Sequence, residues 1–266
     1  MLALSTAVSY PAVGVLAGMV IGLTGMGGGV LLTPVMVLVL KVPANVAVAN
    51  DLLISLIVKP FGTVAHHRAG TVRRDIVRRL VLGSVPAAFL GAVVVNIWLH
   101  GDAETIKLMV GITLSLAAAA MVARILVPHA PESDDDVVDD GTTSTAGWLP
   151  AATVAVGAIG GLLVGITSVG SGSLMLVLLT WLYPRLTGRE LVGTDLTQAI
   201  PLVASAVVGH LLFGDIRLSI VVPVVLGAIP GVLVGSRLSS RMHDGVLRPV
   251  LAVLVGASGL RLAGVI

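Results

Sequence analysis

Two stretches combine residue types that can hold an oxyanion through backbone and hydroxyl groups rather than through charge. They are GLTGMGGGVLLTP, residues 22–34, and GITSVGSGSLMLV, residues 165–177. Each interrupts an apolar run with glycine, which weakens a helix and opens backbone conformations closed to other residues. A helix broken within hydrocarbon exposes unpaired N–H groups, a state tolerated only where protein or a water-lined cavity covers it. Helix N-termini and glycine nests present those N–H groups as a partly positive concavity that favours an anion. The candidate binding groups are the backbone of Gly25, Gly27, Gly28, Gly29, Gly170 and Gly172 and the hydroxyls of Thr24, Thr167, Ser168, Ser171 and Ser173. The competing explanation is close helix packing through small residues. That explanation suits Gly14, Gly18 and Gly22 better than it suits the two clusters.

A second set is acidic and amide. Asn50-Asp51 and Thr194-Asp195 lie about two turns into long apolar segments, and Gln198 follows Asp195 by one helical turn. An ionisable residue at that depth is a functional candidate by default. Either aspartate could carry a proton coupled to anion movement, or could accept N–H bonds from a glycine tip without changing charge; the sequence leaves both open. Lys59 could offset substrate charge, or could snorkel to the nearer interface. His66, His67 and His210 fall at segment ends and read as structural or solvated. There is no cysteine, no H-E-x-x-H and no P-loop, so no metal, cofactor or nucleotide is expected. A net charge of +2 is too small to suggest nucleic acid.

The elements that position these groups are apolar and helical. The chain is 56% hydrophobic and 11% charged, against about 25% charged in soluble domains, which predicts an integral membrane protein. Apolar runs fall at 8–24, 26–40, 44–66, 78–99 and 105–127, then at 148–167, 170–184, 189–212, 218–237 and 246–265. A crossing needs about 20 helical residues. The first two runs together are too short for two full crossings, as are the sixth and seventh. Each pair is therefore expected to be a re-entrant hairpin or two broken half-helices with glycines at the tip. Residues 128–147, acidic and rich in Pro, Gly, Ser and Thr, read as a cytoplasmic linker between an N-terminal repeat, 1–127, and a C-terminal repeat, 148–266.

The halves are copies. Gly22-Leu-Thr24 matches Gly165-Ile-Thr167 and Gly27-x-Gly29 matches Gly170-x-Gly172; one residue later in register, Asp51-Leu52 matches Asp195-Leu196, and His66, Gly70 and Arg73 match His210, Gly214 and Arg217. Gly83, Pro86 and Gly91 match Gly227, Pro230 and Gly235. Cytoplasmic loops gather Lys and Arg. That rule places the Arg-rich loops 66–79 and 236–248 inside, so the copies face opposite ways with both termini outside. The expected fold is an all-α polytopic membrane protein of two inverted repeats, each a glycine-broken helix pair plus three transmembrane helices. Inverted repeats around broken helices are a common construction for secondary transporters.

On Gly18-x-x-x-Gly22-x-x-Gly25-x-Gly27-Gly28-Gly29, its second copy Gly161-x-x-x-Gly165 with Gly170-x-Gly172, and the paired Pro-Gly helices, the chain resembles the TauE/SafE family of sulfite exporters, also called the 4-toluenesulfonate uptake permease family. The resemblance spans nearly the whole chain outside the linker. It implies an inner-membrane permease that moves sulfite or related sulfur-containing anions and organosulfonates, mostly outward. The second copy departs from the glycine pattern, with Ser168, Ser171 and Ser173 standing where the first has Gly25, Gly28 and Val30. The leading expectation is a secondary transporter, possibly proton-coupled, working by alternating access. A passive anion channel and an intramembrane enzyme acting on a lipid or peptide are the alternatives. Expected partners are a small anion and the lipid bilayer, with the oligomeric state left open.

Overall fold

The computed structural model describes residues 2–24, 28–68, 70–99, 102–126, 147–212, 216–239 and 244–265. Within them every regular element is helical. The order is α1 (Leu2–Thr24), a 3-10 turn (Gly28–Val30), α2 (Leu32–Leu38), α3 (Ala44–Arg68), α4 (Arg74–Val93) running into a π turn (Val94–Trp98), and α5 (Ala103–Leu126). There follow α6 (Leu149–Thr167), α7 (Leu174–Leu182), α8 (Gly188–Leu211), α9 (Leu218–Ser239) and α10 (Asp244–Leu262). Six of these helices are long and apolar enough to cross a membrane: α3, α4 with its π turn, α5, α6, α8 and α9. Large apolar side chains such as Leu82, Leu226 and Val253 lie exposed on helix flanks. In water they would be a liability, whereas against lipid they need no partner.

The length within each glycine-broken pair is divided unequally. The expected half-helices are instead one long helix followed by a short one, 23 and 7 residues in the first pair and 19 and 9 in the second. At 1.5 Å per residue α6 spans about 28 Å, enough for the hydrocarbon core. The re-entrant reading therefore does not hold for α6. The helices that follow the two breaks, α2 and α7, are too short to cross. Residues 127–146, which hold nearly all of the expected linker 128–147, lie outside the described residues, as do Gly25 and Gly27 of the first tip.

Helix ends follow local chemistry where they leave the apolar layer. The Thr187 side chain accepts from the Glu190 amide while Glu190 reaches back to the Thr187 amide, a reciprocal cap that starts α8. Before α5, Asp102 accepts bonds from the Thr105 hydroxyl and amide. Those bonds hold its exposed carboxyl below the usual carboxylate range.

Glycine sets the distance between the long helices. A Cβ at Gly18 of α1 would stand 2.3 Å from the Ala228 carbonyl oxygen of α9, and one at Gly161 of α6 would stand 2.3 Å from the Ser84 carbonyl oxygen of α4. These two contacts are repeat equivalents, and they are not isolated. Gly14 meets Val224 as Gly157 meets Leu80, Gly227 meets Pro11 as Gly83 meets Val154, and Gly235 meets Met19 as Gly91 meets Leu162. The first helix of each copy thus packs on the fourth helix of the other, in matched register. For Gly14 and Gly18 the packing explanation has direct geometric support. Because the obstructing atoms are backbone, Gly161→Leu is expected to prevent α6 from seating on α4. A monodisperse, wild-type-like size-exclusion profile and melting temperature for that variant would refute this.

Candidate functional site

The second glycine break is a tight turn closed by left-handed residues. The chain leaves α6 through Ser168 (φ 60°), then passes Gly170 (φ 128°) and Gly172 (φ 92°) before α7. Gly170 and Gly172 occupy backbone conformations that a side chain would strain. The hydroxyl of Thr167 is engaged within the tip: it donates to the Leu163 carbonyl at 2.7 Å and accepts from the Val169 amide at 3.2 Å. The first break re-enters order as the 3-10 turn Gly28–Val30. The two tips touch. Gly29 approaches Ser168 so closely that a Cβ on Gly29 would stand 1.9 Å from the Ser168 carbonyl oxygen.

Several of the expected polar residues lie around this junction, Asp51 and Ser168 among them, together with others that sequence reasoning missed. Asp51, on α3 and fully buried, accepts the Ser168 hydroxyl at 2.6 Å and the Thr33 hydroxyl at 2.7 Å on one oxygen. Ser55, one turn along α3, is 3.4 Å from the other oxygen. Asp195, on α8, accepts from the Gln198 amide at 2.9 Å. Gln198 in turn accepts from Ser84 of α4 at 3.2 Å. Asp51 therefore meets the tip of the second break directly, through the Ser168 side chain, and both carboxylates lie within electrostatic reach of Lys59. A buried carboxylate accepting several such bonds has the satisfaction that its desolvation demands.

Lys59 does not snorkel. It is 4% exposed, and its ammonium donates to the Ser171 hydroxyl, in the opposite half of the chain, at 2.7 Å. It is also attracted electrostatically by Asp195 and Asp51. Among the described residues it is the one buried Lys or Arg. Ser173, the residue before α7, is 2% exposed, and its hydroxyl is the one buried side-chain polar atom without a hydrogen-bond partner in the described residues.

Asn50 and Thr194 fasten the ends of the assembly. The Arg217 amide donates to the Asn50 side-chain oxygen at 2.7 Å, and the Arg73 amide donates to the Thr194 hydroxyl at 3.1 Å. Asn50 and Thr194 are repeat equivalents, as are Arg73 and Arg217, so this contact too is made twice across the halves. Arg73 adds an ion pair with Glu190 at 3.5 Å, a partly exposed pair of small energetic weight.

His210 is fully buried rather than interfacial. Its Nε2 lies 3.0 Å from the Gly165 carbonyl, which can only accept, so Nε2 carries the proton. Its Nδ1 then accepts from Asn96, in the π turn, at 3.3 Å. His67 is exposed, and the side chains of His66 and Thr24 lie outside the described residues. Among the described residues no group of three His, Cys, Asp or Glu is placed to hold a metal ion.

Thr33, Ser55 and Ser84 were not singled out from the sequence. Ser55 had a usable signal, since it lies one helical turn from Asp51 and i,i+4 side chains meet. Thr33 and Ser84 reach their partners only through tertiary packing and have no counterpart motif in the other copy.

Six membrane-length helices with a buried polar junction among them define a multi-pass helical membrane protein. Residues 10–262 match the family described as Sulfite exporter TauE/SafE, and the chain belongs to that family. It is 33% identical over 266 residues to the Probable membrane transporter protein YjnA of Bacillus subtilis (strain 168), covering 96% of this chain and 99% of the relative. It is also similar to two further proteins of that organism, the Probable membrane transporter protein YdhB, at 24% identity over 93% of this chain and 96% of the relative, and the Probable membrane transporter protein YunE, at 22% over 94% of each. No solved structure matches the chain. Family and relatives alike indicate a membrane transporter rather than an enzyme.

Proposed function

We propose that this protein is a secondary transporter that moves sulfite or a related sulfur-containing anion, organosulfonates included, across the cytoplasmic membrane, mainly outward, by alternating access. The observation that carries the reading is the convergence of both glycine breaks on one buried junction, Gly29 against Ser168, with Lys59 bonded to Ser171 beside it. Neutral donors and a single cation hold an anion without trapping it, which suits a carrier that must also release its cargo. A negative-inside potential favours anion exit by about 2.3 kcal/mol per charge per 100 mV, so export needs no nucleotide.

The inverted arrangement of the repeats is part of this proposal. Its support is the reciprocal register of the glycine contacts and of the Arg73–Thr194 and Arg217–Asn50 pairs, read together with the Arg-rich loops. In that topology the two pairs lie at opposite ends of the molecule, where they would part in turn as the site opens to one side and then the other. Asp51 and Asp195 are the candidate proton carriers for coupling.

Topology is checked in this Cys-free chain by single cysteines at two exposed positions, Asp75→Cys and Glu104→Cys. An impermeant thiol reagent added to intact cells should label position 104 and spare position 75. The opposite pattern, or labelling of both, would overturn the orientation. Function is checked by uptake of labelled sulfite into proteoliposomes. Saturable uptake above that of protein-free vesicles is expected. Uptake that never saturates would favour a passive channel, and none at all would refute sulfite as a substrate.

A further inference from the structure

We propose that Ser173 Oγ and Lys59 Nζ hold the transported anion directly, so that its site belongs to the second break, at the start of α7, and is not shared equally between the two tips. The inference rests on the anion-transport reading and adds the groups that select the substrate.

Three groups of this region keep donor protons with no matching acceptor among the described residues. The Ser173 hydroxyl is buried and unpartnered. The Lys59 ammonium has three N–H donors and gives one to Ser171. Ser171 accepts that bond, which leaves its own proton without an acceptor among the described residues. A buried hydroxyl with no partner forfeits its hydration without compensation, a loss of about 1–3 kcal/mol. Such a group calls for an explanation, and an absent acceptor is a direct one. The two nearby carboxylates do not fill that role. Asp51 takes its bonds from Thr33, Ser55 and Ser168 and Asp195 from Gln198, and among the described residues neither accepts from Ser171 or Ser173.

The first copy cannot build the same set. Val30 stands where the second copy has Ser173, Gly28 where it has Ser171, and Val203 is the counterpart of Lys59. The helix after the first tip has 7 residues against 9 after the second, and α7 starts at the unpartnered Ser173. Gly29 of the first tip fits closely against Ser168, while the second tip supplies the donors. Several hydrogen-bond donors and one positive charge fit an oxyanion with several acceptor oxygens on one centre, a sulfite or the –SO3 head of a sulfonate.

The test uses wild type, Ser173→Ala and Lys59→Gln, purified into nanodiscs, with sulfite and methanesulfonate as probes and chloride for comparison. Two quantities are read, the melting temperature of the empty protein and the dissociation constant of each probe. Because the Ser173 hydroxyl has no partner, its removal should leave the empty protein as stable as wild type or more so. The same change should weaken sulfite or methanesulfonate binding by roughly 10- to 150-fold, the loss of one hydrogen bond to a charged group. Lys59→Gln should weaken it by at least as much and leave chloride binding poor. If wild type binds either probe and Ser173→Ala binds it equally well, the assignment is overturned while anion transport stands. A less stable empty Ser173→Ala protein with unchanged affinity would equally overturn it, in favour of a structural hydroxyl. If wild type binds neither probe, the anion-transport reading fails and this inference with it. Should Lys59→Gln not fold, Ser173→Ala decides alone.

Discussion

Gly29→Val should reduce labelled-anion uptake to the level of protein-free vesicles while the protein still inserts in the membrane. The reason lies in the contact between the two tips. A Cβ at position 29 would stand 1.9 Å from the Ser168 carbonyl oxygen and 2.8 Å from its carbonyl carbon, and those are backbone atoms that cannot swing aside. Ser168 cannot retreat either, because its left-handed backbone and its bond to Asp51 fix it at the end of α6. The two tips must part, and the junction is lost. Gly70→Ala is the contrasting substitution. Its φ is positive, at 69°, which strains an alanine, but a Cβ there meets nothing within 4 Å, so it should retain most activity. Wild-type uptake by Gly29→Val would show that the tips do not need to touch.

Asp51 divides structure from mechanism by the choice of substitution. Asp51→Ala removes the acceptor for Thr33 and Ser168 at 2.7 and 2.6 Å, with Ser55 beyond. At about 1.5–3 kcal/mol for each bond to a charged group, the two short bonds alone amount to roughly 3–6 kcal/mol, a large share of a typical 5–15 kcal/mol stability. The alanine variant should therefore melt far below wild type or fail to accumulate. Asp51→Asn keeps the volume, and hydroxyls can rotate to accept from an amide, so it should fold. It should also abolish the dependence of anion flux on a transmembrane pH gradient while preserving anion exchange. Asp195→Asn should act likewise, since the Gln198 amide can still donate to the asparagine side-chain oxygen. Undiminished, pH-dependent flux in both asparagine variants would remove the carboxylates from coupling.

Much of this architecture was legible because membranes constrain sequence severely. Long apolar runs must be helices, since no other open element satisfies its backbone in lipid, and α3, α4, α5, α8 and α9 follow directly. The duplicated order of glycines, prolines and aspartates also had a spatial meaning, for those glycines now face one another between α1 and α9 and between α4 and α6. The division of length inside each broken pair was not legible. Counting apolar residues treats the two members alike, whereas the chain places most of its length in α1 and α6 and little in α2 and α7. Contacts between side chains far apart in sequence were equally hidden. Lys59 sits close enough to a helix end to snorkel, and nothing in its neighbourhood names Ser171 as its partner. Asn50 and Thr194 were found beside the aspartates, but the amides they accept belong to the opposite half.

The central claim is that a carrier site for a sulfur oxyanion lies at the junction of the two breaks. It is tested most directly by counterflow. Proteoliposomes loaded with excess unlabelled sulfite are diluted into a trace of labelled sulfite, with membrane potential and pH gradient collapsed. A carrier should take up label transiently above its equilibrium level, then let it decay, and Gly29→Val should show no such overshoot. Label that rises monotonically to equilibrium in wild type, or that enters equally through Gly29→Val, would contradict the account.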